Sequence, residues 1–153
     1  VLPGDLTGPF AAYREAANLR PPAAPQIALA RFIRDGHLER HIHRMRTVYR
    51  NRRALLIEAL RRHFGERAVI RGDEAGMHIL AEFPDLPEAP DWTGAAACGV
   101  VVEPVEDYCV RRGFRTRQIV LGYGNIRDRD IEPGIERLSR FVREWGTGGA
   151  SVR

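Results

Sequence analysis

The chain contains no lysine, because all 24 of its basic residues are arginine. Without lysine, a chain cannot form a Schiff base with a carbonyl compound, hold a phosphate through a P-loop lysine or use a lysine as a general base. The sequence therefore excludes these three kinds of chemistry for this chain alone.

Cysteine is also scarce, and Cys98 and Cys109 form no CxxC pair and have no histidine at zinc-finger spacing. Neither a disulfide framework nor a structural metal is indicated, so we expect a reduced, cytoplasmic setting. We interpret both thiols as small, partly apolar fillers, since no Ser/His/Asp or Cys/His order indicates a nucleophile.

Long apolar runs are absent as well. No stretch approaches the ~20 residues of a membrane-spanning helix, and no charged-then-apolar leader opens the chain, so we expect no membrane partner. The chain starts at Val1 and not at a methionine, which is expected of a fragment of a longer polypeptide or of a processed chain.

What is present suits a single small domain or one lobe of a larger protein. The chain has 153 residues, 44% of them hydrophobic, and a formal net charge of +4. This composition can build one ordinary core, and a charge excess of this size is common in domains that bind no polyanion.

Helical periodicity dominates the first half of the chain and its end. It predicts helices over residues 5–19, 25–36, 37 to about 64, and from Asp128 or Asp130 to Trp145. Between them, β-branched or alternating runs predict strands over 68–71, 77–83, 100–102 and 119–121, with a turn over 72–76 and a short helix over 92–98. The fold class is therefore α+β: a small antiparallel sheet of three or four strands packed against helices, one of them long.

The most basic stretch is HLERHIHRMRTVYRNRR, residues 37–53, with six arginines and three histidines around one acid, Glu39. Phosphate binding needs such a density of donors. However, the arginines are scattered around the helix, and the apolar stripe beside them requires a packed partner. We interpret the stretch as a structural helix with a solvated basic face. His37 and His41 stand four residues apart but lack a third ligand, so no metal site is expected.

Acidic residues gather after the third predicted strand, at Glu103, Glu106 and Asp107. Carboxylates at the end of a strand can face a cleft, but they can also form an acid-rich turn paired with the arginine-rich loop 111–117. The nearby Gly122-Tyr123-Gly124 lacks the third glycine of a phosphate-binding loop, so we expect these glycines to relieve crowding at a sheet edge or turn.

Several short motifs follow one another along the chain. They are Gln26-x-Ala28, Phe32-Ile33-x-x-Gly36, Arg40-His41-Ile42-x-Arg44-Met45-Arg46, Ala75-Gly76-Met77-His78, Leu121-Gly122-Tyr123-Gly124 and Ile131-Glu132-x-Gly134-Ile135-x-Arg137-Leu138. In this order and spacing they resemble the C-terminal part of the aminotransferase-like domain of MocR/GabR-type regulators. These are GntR-family proteins in which a winged helix is fused to a fold-type I pyridoxal-phosphate module.

The resemblance implies a small C-terminal lobe of a larger transcriptional regulator. Residues 1–20 would be a helix from the junction with a missing large lobe, residues 21–146 the aminotransferase-like small domain, and residues 147–153 a flexible tail. The parent would bind pyridoxal phosphate through that missing lobe, form a homodimer, sense an amine or amino-acid-like effector and bind DNA through a separate N-terminal winged helix. This chain would contribute to effector sensing and to lobe and dimer contacts. It would have no catalytic or cofactor-binding residues of its own.

True fold-type I aminotransferases share this small-domain plan, so the C-terminal domain of such an enzyme is the alternative. The Ala-Gly-Met-His turn and the Gly-Tyr-Gly strand end favour the regulator. Enzymes of the aminoadipate-aminotransferase kind, which the helices also resemble, would be expected to carry Gly-Gly-Met-Phe and Arg-Leu-Ser-Phe instead.

Asp107 departs from the family pattern. Some members place an arginine shortly after the strand that corresponds to 100–102, where its planar fork can bind an effector carboxylate. With Asp107 there, either the effector presents an amine or hydroxyl, or an arginine of loop 111–117 substitutes, or the matching is shifted by a few residues. We expect Asp107 to line the effector pocket. The candidate pocket residues are Glu106, Asp107, Tyr108, Met77, His78 and Arg117.

Overall fold

The computed structural model describes residues 2–18, 22–72 and 76–148. Four helices and four strands follow in the order α1 (Gly4–Asn18), α2 (Ala23–Arg34), α3 (His37–Phe64), β1 (Val69–Arg71), β2 (His78–Glu82), β3 (Glu103–Pro104), β4 (Gln118–Gly122) and α4 (Asp128–Gly148). Short 3-10 helices lie at Gly65–Arg67, Trp92–Cys98 and Val105–Tyr108. The predicted α+β class is confirmed.

The chain divides into two compact units, Val1–Arg44 and Met45–Arg153. The predicted boundary after residue 20 stays a prediction. In the first unit, α2 buries none of its residues, and Phe10 and Tyr13 of α1 are exposed. Helix α2 ends where Gly36 adopts a left-handed φ of 71°. The Gly36 amide donates to the Ile33 carbonyl at 3.0 Å, so Gly36 is the helix-terminating glycine that the sequence predicts.

The second unit contains the sheet, whose strand order is β1-β2-β4-β3. All neighbouring strands are antiparallel. Strands β2 and β4 pair along their full length, from His78 opposite Gly122 to Glu82 opposite Gln118. The two central strands therefore bring residues from distant parts of the sequence to the same ends of the sheet.

Helices α3 and α4 supply most of the apolar side chains that pack with the sheet. Alternate positions of the central strands are buried, namely Ile79, Ala81, Ile119 and Leu121. They form one cluster with the helical residues Leu56, Ala59, Leu60, Phe64, Ile131, Ile135, Leu138, Phe141 and Val142. Trp145, near the end of α4, is 37% exposed and lies outside this buried cluster.

The strand predicted at 100–102 is wrong, because the short strand lies at Glu103–Pro104. Gly99 ends the preceding 3-10 helix in a left-handed conformation, and the Val100 amide donates back to the Ala95 carbonyl at 3.2 Å. Val101 is 85% exposed. The β-branched run 100–102 therefore follows the end of the 3-10 helix and does not pair with β4.

Smaller differences concern the ends of elements. Strand β2 is shorter than the predicted 77–83, and α4 continues past Gly146 to Gly148. Leu19, the turn residues 73–75 and residues 149–153 lie outside the described residues. No helix in the described part of the chain is long and apolar enough to cross a membrane.

Candidate functional site

An open cleft lies at the end of the sheet where β2 begins and β4 ends. It has a volume of about 570 Å³ and is lined by Tyr49, Met77, His78, Gly122, Gly124, Asn125 and Ile126. Two hydrogen bonds fix its rim: the Tyr123 amide donates to the Met77 carbonyl at 3.0 Å, and the Tyr123 hydroxyl donates to the Gly76 carbonyl at 2.8 Å. The structure therefore brings the predicted residues Met77 and His78 together at a cleft.

A second, smaller cavity of about 260 Å³ shares His78 with this cleft. It lies at the outer edge of β4, where the pairing with β3 stops at Glu103 opposite Val120. Its wall is mostly apolar, with Glu103 as a carboxylate. The apolar side chains and glycines around it are Leu56, Val100, Val101, Val120, Leu121, Gly122, Ile126, Ile131, Gly134 and Ile135.

Arg52 fixes the segment that separates the cleft from α4. Its Nη1 donates to the Gly124 carbonyl at 2.8 Å, and its Nε lies 3.0 Å from Asp128 Oδ1. Asn51 donates to the other Asp128 oxygen at 2.8 Å. These bonds, that from Arg52 first, hold the pKa of Asp128 below its ordinary value. From the sequence alone, Arg52 is one of six arginines in the basic stretch 37–53, with no partner indicated. The arginine within that stretch and the aspartate opening α4 were the available signal.

Glu106 binds the backbone of the arginine-rich loop. Its carboxylate accepts hydrogen bonds from the amides of Gly113 and Arg115, and these bonds, that from Gly113 first, lower its pKa. The sequence suggests pairing with the arginine-rich loop here, whereas the main contacts of Glu106 are with backbone amides of that loop. These two bonds account for the position of the Glu106 carboxylate. That Glu106 lines an effector pocket stays a prediction.

Asp107 and Tyr108 follow on the same 3-10 helix and are both exposed. Asp107 Oδ1 lies 3.9 Å from an Arg112 Nη2, so the alternative of an acid-rich turn beside the arginine loop describes this segment. The Tyr108 hydroxyl donates to Glu103, and this bond raises the pKa of Tyr108 because it stabilises the protonated phenol. Tyr108 thereby supports the carboxylate that lines the smaller cavity.

Arg117 lies at the other end of β4 from His78. Its guanidinium donates to the carbonyls of Pro84 at 3.3 Å and Pro87 at 3.0 Å, which attaches the proline loop to the sheet. The six candidate residues thus occupy three places: the cleft, the acid-rich turn with its loop, and the proline loop. Glu103 lines the smaller cavity but is absent from the predicted pocket set. Its place in the acidic cluster with Glu106 and Asp107 was the available signal.

The described residues hold no group of three or more His, Cys, Asp or Glu side chains placed as metal ligands. The histidine pair on α3 is engaged by arginines instead. Arg40 contacts His37 Nδ1 at 3.0 Å, and Arg44 contacts His41 Nδ1 at 3.2 Å.

Comparison with known proteins identifies the relatives of this chain. No family model matches it. It is 35% identical to the uncharacterized HTH-type transcriptional regulator YhdI of Bacillus subtilis, over 90% of this chain and 29% of that protein. It is 30% identical to the probable rhizopine catabolism regulatory protein MocR of Rhizobium meliloti and 27% identical to the HTH-type transcriptional regulator TauR of Rhodobacter capsulatus. These two matches cover 98% and 94% of this chain and 30% of each relative.

The homologues of this chain are MocR- and TauR-type HTH transcriptional regulators. The chain spans 29% to 30% of the length of these curated relatives. The predicted resemblance to the MocR type is confirmed.

Solved structures confirm the predicted fold of the aminotransferase small domain. Kynurenine aminotransferase of Pyrococcus horikoshii matches 92% of this chain with a TM-score of 0.80 and 25% identity, over 35% of that enzyme. LysN, the α-aminoadipate aminotransferase of Thermus thermophilus, matches 95% with a TM-score of 0.81 and 22% identity, over 37% of that enzyme. These neighbours have the fold-type I aminotransferase fold.

Proposed function

We propose that this chain is the C-terminal small lobe of the effector-sensing domain of a pyridoxal-phosphate-dependent transcriptional regulator. The supporting observation is the match of 90% of the chain to 29% of a regulator at 35% identity, on a fold shared with aminotransferases. Residues 1–20 join the lobe to a larger one, and residues 21–146 form the lobe. The parent works in the cytoplasm as a homodimer and binds DNA through a separate N-terminal winged helix.

Pyridoxal phosphate does not fit this chain as a complete site, because the chain offers no lysine. When bound by the rest of the parent, the cofactor supplies an aldehyde that reacts with primary amines. This lobe contributes a wall of the effector site and surfaces for lobe and dimer contact, and it is not catalytic by itself.

The effector wall is the cleft at Met77 and His78 together with the acid-rich turn at Asp107 and Tyr108. The Asp107 side chain is 61% exposed and its nearest guanidinium is 3.9 Å away, so its carboxylate is accessible to a cation. A carboxylate favours an ammonium over a carboxylate ligand. The effector that fits is an amine or an amino acid whose amine or hydroxyl faces Asp107.

The test compares effector affinity in the full-length parent and in its Asp107→Arg and Asp107→Asn variants. An effector whose ammonium faces Asp107 should bind more weakly to both variants, and more weakly to the arginine variant than to the asparagine variant. Isothermal titration with a panel of amines and amino acids measures this order. Unchanged affinity in Asp107→Arg would place the effector elsewhere.

A second candidate is the small domain of a true aminotransferase, favoured by the 25% identity and TM-score of 0.80 to kynurenine aminotransferase. The two candidates differ in turnover and in DNA binding. If the parent is an aminotransferase, we expect it, with pyridoxal phosphate, to convert amino acids to keto acids over many turnovers and to bind no DNA. If it is a regulator, we expect it to bind DNA with an affinity that depends on the effector.

A further inference from the structure

The 260 Å³ cavity at the edge of β4 exists because the chain leaves the sheet early. Continued pairing with β3 would place Val102 opposite Leu121 and Val101 opposite Gly122, but the register ends at Glu103 opposite Val120. Residues 100–102 therefore do not pair with β4. Helix α4 contributes Ile131, Gly134 and Ile135 to the cavity wall.

The size of this cavity suits a small organic group. An apolar cavity of about 150 Å³ is enough to admit benzene, and this one is larger. Binding sites for small molecules combine a mostly apolar wall with a few polar groups that orient the ligand. Here the wall contains three polar side chains, His78, Glu103 and Tyr123, and the Tyr123 hydroxyl donates to the Gly76 carbonyl.

The Glu103 carboxylate in the wall should make the cavity prefer positively charged ligands to negatively charged ones. Its Oε2 accepts the Tyr108 hydroxyl, which orients the carboxylate. Within the described residues, no hydrogen bond engages Glu103 Oε1. A ligand with a protonated amine can therefore donate to Glu103 while its apolar body fills the cavity, whereas a ligand carboxylate would be repelled.

We propose that this cavity is a binding site for a small primary amine with an apolar body the size of one ring. The side chains that line the site lie between residues 56 and 135 of this chain, and the site shares His78 with the cleft of the effector wall. Its occupancy can be measured on the chain itself.

Gly134 provides a variant that fills the site. It lies in the cavity wall within α4, and a Cβ atom added there meets no atom within 4 Å beyond its chain neighbours and the helix backbone. Gly134→Leu should occupy the cavity and also raise helix propensity, since glycine is unfavourable inside a helix. Gly146→Leu is the matched control, because Gly146 is also a glycine of α4 with open space around it but lies outside the cavity.

Benzylamine is the probe, and benzoate is its counterpart of opposite charge. In methyl-detected NMR titrations of the 153-residue chain at neutral pH, benzylamine should shift the methyl signals of Val100, Ile131 and Ile135 in a saturable manner. The control Gly146→Leu should retain these shifts, and Gly134→Leu should lose them while its circular dichroism spectrum stays unchanged. Absence of saturable shifts in the wild-type chain, or their persistence in Gly134→Leu, would overturn the proposal.

Glu103→Gln tests the amine preference separately and leaves the cavity open. It should weaken benzylamine binding by about threefold, as expected for an exposed charged pair, and reduce the preference for benzylamine over benzoate. Equal affinity of the wild-type chain for the two probes would overturn the assignment of an amine ligand. The effector affinity of the Asp107 variants in the parent is a different measurement, so either proposal can fail without the other.

Discussion

Arg52 is one of the side chains of α3 that bond to α4, and it lies near the cleft. Its guanidinium reaches both the Gly124 carbonyl and the Asp128 carboxylate, and it is 19% exposed. The sequence could not reveal this contact, because Arg52 and Asp128 are 76 residues apart. Helical periodicity predicts α3, but it does not indicate which residue an arginine on that helix will contact.

Replacing Arg52 with methionine should destabilise the chain. The Gly124 carbonyl would lose a partly buried hydrogen bond, which costs about 1 kcal/mol. Chemical denaturation measures the change in the free energy of unfolding. The exposed Arg50 on the same helix is the control, and Arg50→Met should leave stability nearly unchanged. Equal losses in the two variants would show that the bonds of Arg52 do not stabilise the fold.

At the scale of elements, the helices were more predictable than the sheet. The bounds of α3 and the start of α4 follow from helical periodicity and from acids in the first turn. The run 100–102 has the composition of a strand, but a strand also needs a neighbour, and Gly99 commits the Val100 amide to the preceding helix end. Likewise, the bonds of Glu106 to loop amides carry no residue-specific signal in the sequence.

Glu106 should order the loop between Cys109 and Arg117. In Glu106→Gln the amides of Gly113 and Arg115 lose a charged acceptor, so their hydrogen exchange should become faster, while exchange in β4 should stay unchanged. Amide exchange measured by NMR tests this. Asp107→Asn is the matched control, because Asp107 makes only a 3.9 Å contact with an arginine of the loop. The same acceleration in both variants would contradict a specific role for Glu106.

The contacts between α3 and α4 should make stability depend on acid pH. The pKa of Asp128 is lowered mainly by its bond from Arg52, and that of Glu132 mainly by its bond with His63. Both carboxylates therefore bind protons more weakly in the folded chain than in the unfolded chain. The stability they contribute is present above about pH 4 and is lost as the pH falls through their lower folded pKa values.

The double variant Asp128→Asn/Glu132→Gln checks this linkage. Its urea midpoint should fall less between pH 6 and pH 3 than that of the wild-type chain, because the two titrating groups are gone. High salt should reduce the difference, since both groups are exposed enough to be screened. An identical fall in both proteins would show that these carboxylates are not linked to folding.

At the scale of the whole molecule, the described core belongs to the second unit. Leu60 is fully buried in it, whereas Leu29 of the first unit is 56% exposed. Leu60→Ala should lower the free energy of unfolding by about 2–5 kcal/mol, as burial and cavity formation require. Leu29→Ala should change it by less than about 0.5 kcal/mol. Comparable losses in thermal or urea unfolding would show that the first unit has a core of its own.

The basic segment of α3 bears most directly on the proposed role. Its arginines contact Asp128, two histidines and a backbone carbonyl, which agrees with a structural helix. The relatives are HTH regulators, and this chain matches only 29% to 30% of their length. The proposed DNA binding is therefore expected of another part of the parent protein.

The decisive measurement is the fluorescence anisotropy of a labelled DNA fragment from the region upstream of the parent gene. It is titrated at low salt with the full-length parent and with this chain. We predict that the parent binds the fragment, that pyridoxal phosphate together with an effector amine changes its affinity, and that this chain does not bind. Binding by this chain as tight as that of the parent, or no binding by the parent under any of these conditions, would contradict the proposed function.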